Sequence, residues 1–285
     1  MKKFIISARP KQTLKNSVVF IPLIFTLEEW LPNAILSSLV SSFFCFLAFS
    51  CCSIIGYQIN DWIDKEYDKK HPAKKLRPIA NNQISLKEFY IYILLLLAFG
   101  LIFSISVNFY VLYMFFTYLA LSVLYSLKLK RIILIDSISV TIFYIIRMIA
   151  GAYSITLNIS LWLYILTFFS TLFLIIIKRT SETNKGNFRD DKIVIFYNNL
   201  ANIKIKSFLL TINIILYLTY AISEIISDQR NLIFIITIIF FSSGIIRYFS
   251  ITNGNTRGES PETIITKDFF IQLSVLLYLI SIFFS

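Results

Sequence analysis

The chain has 285 residues, of which 57% are hydrophobic and 15% charged, and its mean hydropathy is +0.74. Soluble globular proteins carry about 25% charged residues, so this composition excludes an ordinary soluble domain, and it equally excludes a disordered chain. The net charge of +11 would suggest nucleic-acid binding in a soluble protein, but here the basic residues must first be placed relative to a membrane.

Nine segments are long and apolar enough to be transmembrane helices, since a helix needs about 20 residues to cross about 30 Å of hydrocarbon. They are residues 14–31, 36–59, 88–107, 109–127, 132–155, 160–177, 206–226, 231–249 and 268–284. The first lacks a small-residue cleavage pattern, which favours a membrane helix over a signal peptide. With no fixed repeat and no low-complexity linker, the sequence predicts an all-α integral membrane protein of nine transmembrane helices and one domain, residues 1–285.

The basic residues predict the orientation of these spans. Of the 27 lysines and arginines, 25 lie in the N-terminal segment and on alternate connections between spans. By the positive-inside rule, the N-terminus and the basic connections face the cytoplasm, as in a multi-pass protein of the plasma membrane. The net charge is thereby explained by topology, and nucleic-acid binding is not predicted.

The densest polar cluster is Asn60-Asp61-Trp62-Ile63-Asp64-Lys65-Glu66-Tyr67-Asp68, at the cytoplasmic end of the second span. On a helix, Asn60, Asp64 and Asp68 share one face, and Asp61 lies beside them. Neighbouring carboxylates repel each other and favour a bound cation, and oxygen ligands without histidine or cysteine favour Mg²⁺. The alternative is a solvated helix end that Lys65, Lys69 and Lys70 neutralise.

Cations and prolines follow the acids directly, in His71-Pro72-Ala73-Lys74-Lys75-Leu76-Arg77-Pro78. Acidic residues beside basic ones suit a metal-bound polyphosphate, because Lys and Arg neutralise the phosphate oxygens that the metal does not reach. His71, the only histidine, precedes a proline, which suggests a hydrogen-bond donor to phosphate or a structural role more than a metal ligand.

Further candidates lie near other cytoplasmic span ends. They are Tyr125 and Lys130 after the fourth span, Asp136 at the start of the fifth, and Lys178, Arg179 and Glu182 after the sixth. Flanking cations are also the default orientation signal of membrane helices. Arg147 differs because it lies within a span, where a guanidinium must find an anionic ligand or an interhelical partner.

The motif Asn60-Asp61-x-x-Asp64-x-x-x-Asp68 resembles the first aspartate motif of the UbiA-type membrane prenyltransferase superfamily. Together with the run to Pro78, it looks like the branch that makes decaprenylphosphoryl-5-phosphoribose. Further likenesses are Arg9-Pro10-Lys11-Gln12-x-x-Lys15-Asn16, Tyr125-Ser126-Leu127-x-Leu129-Lys130-Arg131 with Asp136, Arg147-x-x-x-Gly151, Lys178-Arg179-x-x-Glu182 and the segment 261–268.

The resemblance implies a helical bundle with a cavity open to the cytoplasm. It also implies an enzyme of cell-envelope biosynthesis that transfers 5-phosphoribose from phosphoribosyl pyrophosphate to a polyprenyl phosphate. Asn60, Asp61, Asp64 and Asp68 are then the Mg²⁺ ligands, and the three aspartates are the catalytic residues. The implied substrate-binding residues are Lys11, Lys15, Asn16, Asn60, His71, Lys74, Arg77, Tyr125, Lys130, Asp136, Arg147, Lys178, Arg179 and Glu182.

Two alternatives remain open. The chain could transfer a prenyl group from a prenyl diphosphate to an aromatic or lipid acceptor, although ordinary prenyltransferases carry a second Asp-rich motif where Lys178-Arg179-Thr180-Ser181-Glu182 stands. A transporter is the rival from another class. Transporters place polar residues near the membrane midplane, whereas the acidic residues here gather at one helix end.

Overall fold

The structure is a computed structural model that describes residues 2–26, 34–72, 74–157, 160–183, 195–197, 199, 203–227, 229–253, 258 and 261–285. The chain folds into two compact units, Met1–Ile159 and Ser160–Ser285. The single catalytic domain over residues 1–285 stays a prediction.

The first unit consists of helices throughout its described residues. A 3₁₀-helix, Leu14–Phe20, follows the first two α-helices, and two more 3₁₀ turns, Lys74–Leu76 and Leu129–Arg131, precede longer elements. The α-helices are α1 (Lys2–Ala8), α2 (Pro10–Thr13), α3 (Ile21–Phe25), α4 (Ile35–Ile63), α5 (Lys65–Lys70), α6 (Leu86–Val107), α7 (Phe109–Leu127) and α8 (Ile135–Ser154).

The second unit is also helical in its described residues. Its elements are α9 (Leu161–Thr183), α10 (Ile203–Ile226), the 3₁₀-helix Leu232–Ile235, α11 (Ile236–Thr252), α12 (Pro261–Lys267) and α13 (Phe269–Phe283). Helices α9 and α10 pack against each other, and α11 packs against α13. Six aromatic side chains among the described residues, including Tyr217, Tyr220 and Phe241, contact one another around α10.

Sequence-encoded caps set the starts of several membrane-length helices. Ser85 accepts a hydrogen bond from the backbone N–H of Glu88, whose carboxylate accepts one from the N–H of Ser85 in return, forming a capping box at the start of α6. Asn108 alone separates α6 from α7, and its side chain accepts a hydrogen bond from the N–H of Val111. The amide of Asn108 also donates to the carbonyl of Tyr153 at 2.7 Å, which fixes this turn to the end of α8.

The prediction of nine transmembrane helices is not confirmed. By length and composition, seven described helices can cross a membrane, and an eighth span arises if α12 and α13, bent by 79°, cross together. No span-length helix forms within the described part of the predicted first span, and residues 27–31 of that prediction lie outside the described residues. The segment instead follows 3₁₀ geometry over Leu14–Phe20 and gives only a short α3 with Pro22 in its first turn.

The N-terminal segment lies directly against α8 in the first unit. A Cβ atom added at Gly151 would be 2.1 Å from the carbonyl oxygen of Val19, so only glycine allows this approach. Val19 is fully buried together with Phe49, Phe115 and Ala150. The close packing explains why residues 14–20 depart from an independent, lipid-facing span.

Candidate active site

The three predicted catalytic carboxylates lie at the junction of α4 and α5. Asp61 belongs to the last turn of α4, Asp64 caps its end, and Asp68 follows in α5. Backbone hydrogen bonds from Asp64 N–H to the Asn60 carbonyl and from Asp68 N–H to the Asp64 carbonyl keep the helical spacing across the junction. The exposed fractions are 2% for Asp61, 4% for Asp64 and 0% for Asp68, which excludes the alternative of a solvated helix end.

Two arginines bind two of these carboxylates. One terminal nitrogen of Arg9 contacts both oxygens of Asp61, at 2.5 and 2.6 Å. Arg77 donates from one nitrogen to Asp61 Oδ1 at 3.0 Å and to Asp68 Oδ2 at 2.6 Å. Arg77 therefore bridges Asp61 in α4 and Asp68 in α5. Asp61 is shared between the guanidinium groups of Arg9 and Arg77.

A lysine binds the remaining members of the predicted metal set. Lys130 lies on the 3₁₀-helix Leu129–Arg131 that follows α7. Its ammonium donates to Asn60 Oδ1 at 2.8 Å and to both oxygens of Asp64 at 2.9 Å. Contact with residues 60 and 64 through one ammonium shows that they share a helix face, as their spacing predicts.

These contacts bring three carboxylates together with three cations among the described residues. We call this group the carboxylate cluster: Asp61, Asp64 and Asp68 with Asn60, Arg9, Arg77 and Lys130. Within the described residues, no three histidine, cysteine, aspartate or glutamate side chains converge to hold a metal ion. Oxygen donors are the ligands that Mg²⁺ prefers. In this structure, however, each predicted ligand is bound to a cation, so the metal ligands stay a prediction.

Other predicted substrate-binding residues near the carboxylate cluster have local partners. His71 Nδ1 accepts a hydrogen bond from the backbone N–H of Lys74 at 3.3 Å, which closes the turn after α5. Tyr125 donates to Asp136 Oδ1 at 2.8 Å, joining α7 to the buried start of α8. Lys11 is exposed and Lys15 half-buried. The roles of these residues in substrate binding stay predictions.

Arg147 is buried in the middle of α8, with an exposed fraction of 3%. Its Nε donates to Asn16 Oδ1 at 2.7 Å, and a terminal nitrogen donates to Ser53 and Tyr118. The guanidinium also lies 4.8 Å from the centre of the Tyr118 ring, a cation–π contact. Its hydrogen-bond partners among the described residues are all neutral, so the structure gives Arg147 interhelical partners and joins the N-terminal segment to α4, α7 and α8.

The predicted candidates of the second unit gather at the end of α9. Glu182 accepts a hydrogen bond from Arg179 at 2.8 Å and lies 3.6 Å from the ammonium of Lys178. One carboxylate thus contacts two cations at this helix end. Asp190 and Asp191, further along the same connection, lie outside the described residues.

Two cations that belong with these groups are not among the predicted site residues. Arg9 was part of a sequence motif, but its contact with Asp61 depends on a left-handed backbone conformation, φ 51°, that brings the N-terminal segment to α4. Lys206, at the start of α10, is buried. From the sequence it was expected to be one of the basic residues that only set the orientation of the spans. The pattern Arg-Pro marked Arg9, whereas nothing in the sequence distinguishes Lys206 from Lys204.

The helices and the carboxylate cluster define a multi-pass membrane protein with a charged site at the ends of its helices. The sequence pattern of the UbiA prenyltransferase family matches residues 19–274. The chain therefore belongs to this family, and it is a membrane enzyme of the transferase class.

Comparison with individual proteins gives two kinds of likeness. Decaprenyl-phosphate phosphoribosyltransferase of Mycobacterium tuberculosis is 25% identical over 278 residues, covering 96% of this chain and 91% of that protein. Uncharacterized protein y4nM of Sinorhizobium fredii is 30% identical over 186 residues, but this match covers 65% of the chain and only 35% of that protein. A UbiA homologue from Archaeoglobus fulgidus, solved bound to DMAPP and Mg²⁺, has a TM-score of 0.73 at 18% identity, covering 99% of this chain and 98% of that one. The structural likeness establishes the fold.

Proposed function

We propose that the protein transfers a 5-phosphoribosyl group from phosphoribosyl pyrophosphate to a polyprenyl phosphate of the decaprenyl type, with release of pyrophosphate. The observation that carries this proposal is the buried carboxylate cluster, in which acids and cations suited to a metal-bound diphosphate meet within hydrogen-bond distance. The near full-length similarity to the mycobacterial phosphoribosyltransferase supports the choice of donor. The distribution of basic residues supports a site at the cytoplasmic face of the plasma membrane.

Asn60, Asp61, Asp64 and Asp68 would hold Mg²⁺, which when bound neutralises charge on the departing pyrophosphate. Arg9, Arg77 and Lys130 already contact these acids. On donor binding, the three cations exchange carboxylate oxygens for phosphate oxygens, which accept the same charge-assisted hydrogen bonds. The cations are therefore positioned before the substrate arrives, and little reorganisation is needed as charge develops.

The transfer itself needs no strong base in this proposal. An oxygen of the polyprenyl phosphate forms the new bond to the anomeric carbon of the ribose, while the bond from that carbon to the pyrophosphate oxygen breaks. The attacking oxygen is anionic at neutral pH, so no proton has to be removed. The leaving pyrophosphate takes the bonding electrons, and the cations of the carboxylate cluster stabilise it.

Prenyl transfer is the second candidate, and the likeness to a UbiA homologue solved with DMAPP and Mg²⁺ favours it. The same carboxylate cluster would then serve a prenyl diphosphate. Against it stands the sequence Lys178-Arg179-Thr180-Ser181-Glu182 at the end of α9, where a second Asp-rich motif is expected of a prenyltransferase. A cationic helix end suits a second anionic substrate better than an aromatic acceptor.

One experiment separates the two candidates. Membranes that contain the protein are incubated with labelled phosphoribosyl pyrophosphate and decaprenyl phosphate, and in parallel with labelled geranyl diphosphate and 4-hydroxybenzoate, each with Mg²⁺. We expect label to enter the lipid phosphate in the first reaction only, and chelation of Mg²⁺ to abolish it. Label in the second reaction alone would replace phosphoribosyl transfer with prenyl transfer. Movement of an anion into sealed vesicles without any covalent product would instead identify a transporter.

A further inference from the structure

Lys206 is a buried lysine in the second unit that forms no hydrogen bond and no ion pair with any residue that the structure describes. Its exposed fraction is 6%. Lys204, two residues earlier on the same helix, is exposed. A lysine that serves only as an orientation signal extends its ammonium into water, as Lys204 does. Lys206 therefore needs another explanation.

The contacts between α9 and α10 show which way Lys206 faces. Ser170 on α9 donates to Asn213 on α10 at 2.8 Å, and the rings of Trp162 and Tyr220 lie 6.1 Å apart, so the two helices run antiparallel. Lys206 precedes Asn213 by seven residues, which is two helical turns, or about 10.5 Å. It therefore lies on the face of α10 that meets α9, at the level of Ile177.

The end of α9 that lies at the level of Lys206 also carries a buried polar group without a hydrogen-bond partner among the described residues. Ser181, one turn beyond Ile177 on the same face, is 1% exposed, and its hydroxyl has no hydrogen-bond partner among the described residues. Leaving buried polar and charged groups unpaired is costly, and natural proteins do so mainly where a ligand supplies the partner.

The position of Lys206 in the span indicates the kind of anion. The membrane-length part of α10 runs from Lys204 to Ile226, so Lys206 lies at its edge. Phe208, two residues further, is exposed on the apolar outside of the helix. A lipid phosphate sits at this depth, with its charge at the membrane surface and its chain among apolar groups. In the carboxylate cluster, by contrast, Arg9, Arg77 and Lys130 already have acidic partners.

We propose that Lys206 binds the phosphate group of the polyprenyl phosphate acceptor, at the start of α10 and on the face that packs against α9. This inference rests on the proposed function for the identity of the lipid, and it assigns the donor to the carboxylate cluster of the first unit. The chemistry recognised is an anionic phosphate group, which a lipid phosphate, inorganic phosphate or phosphoribosyl pyrophosphate can supply.

The test compares Lys206→Met and Lys206→Arg with the control Lys204→Gln, which removes the exposed charge two residues away. Each variant is purified in lipid nanodiscs, and the dissociation constants of decaprenyl phosphate, inorganic phosphate and phosphoribosyl pyrophosphate are measured. We expect Lys206→Met to weaken decaprenyl phosphate binding about tenfold or more, because a charge-assisted hydrogen bond is lost. Lys206→Arg should keep most of the affinity, and Lys204→Gln all of it.

A second measurement separates ligand binding from a structural role. Without ligand, Lys206→Met should raise the midpoint of thermal unfolding, since it replaces an unpaired buried charge with an apolar side chain of similar length. With decaprenyl phosphate, the wild type should gain more thermal stability than the variant. A lower midpoint without ligand, together with unchanged lipid affinity, would overturn the proposal.

The remaining outcomes distinguish a failure of this inference from a failure of the proposed function. Weaker binding of phosphoribosyl pyrophosphate with unchanged lipid binding would overturn the acceptor role of Lys206. Lysine-dependent binding of decaprenyl phosphate without any phosphoribosyl transfer would support this inference while refuting the proposed function. Equal weakening of all three ligands, inorganic phosphate included, would overturn the assignment to the lipid.

Discussion

Arg77 offers a direct test of the carboxylate cluster through protein stability. Its guanidinium lies 3.0 Å from an oxygen of Asp61 and 2.6 Å from one of Asp68, both buried. Removing one partner of a buried ion pair typically costs about 3–5 kcal/mol. The Arg77 side chain is 25% exposed, and Arg9 still binds Asp61 in its absence. We therefore expect Arg77→Gln to lower the free energy of unfolding by about 2–3 kcal/mol.

The matched control is Lys69→Gln, which breaks an exposed ion pair with Glu66 on the same helix end. The hydrogen bond from Lys69 lowers the pKa of the Glu66 carboxyl, so a real contact is removed, but in a position open to water. Exposed pairs of this kind contribute little to stability, because water screens their charges. Unfolding by increasing denaturant in detergent micelles, followed by tryptophan fluorescence, gives both values. Equal losses for the two variants would refute the buried bridge through Arg77.

Two further predictions concern catalysis and packing. Asp64→Asn should reduce product formation at least about 100-fold in the labelled-donor assay while circular dichroism stays helical, because it removes a charge that the proposed Mg²⁺ site needs and keeps the volume; near-normal turnover would contradict the proposed site. Gly151→Ala should destabilise the protein by about 1–3 kcal/mol, since its Cβ meets the Val19 carbonyl at 2.1 Å. In Gly244→Ala the nearest atom is 3.5 Å away, so thermal unfolding should show no loss there.

The arrangement of the acidic residues on one helix face could be predicted from their spacing, because helical geometry is local. Residues 60, 64 and 68 were expected on one face, and the shared contact of Lys130 with Asn60 and Asp64 agrees with this. The cation partners could not be predicted in the same way. Lys130 lies 66 residues from Asp64 and Arg9 lies 52 residues from Asp61, and no periodicity connects such distant positions.

The helical fold was predicted for the same reason, although the count of nine spans is not confirmed. Membrane-length helices are visible as long apolar runs, and the described spans from Ile35 to Thr252 follow the prediction. The first predicted span did not form a long helix among the described residues, because Val19 packs on Gly151 and Asn16 is held by Arg147. Hydropathy alone does not register such tertiary contacts. Burial likewise separates Lys206 from Lys204, which are equivalent in sequence.

The docking of the N-terminal segment has a consequence for how the protein is made. Asn16 leaves the ribosome well before its partner Arg147, which follows 131 residues later. Until α8 has entered the membrane, the early segment lacks the surface on which it rests, so the first unit completes its assembly only after several spans have been inserted. Biogenesis of this protein therefore depends on a later event that fixes in place a segment synthesised much earlier.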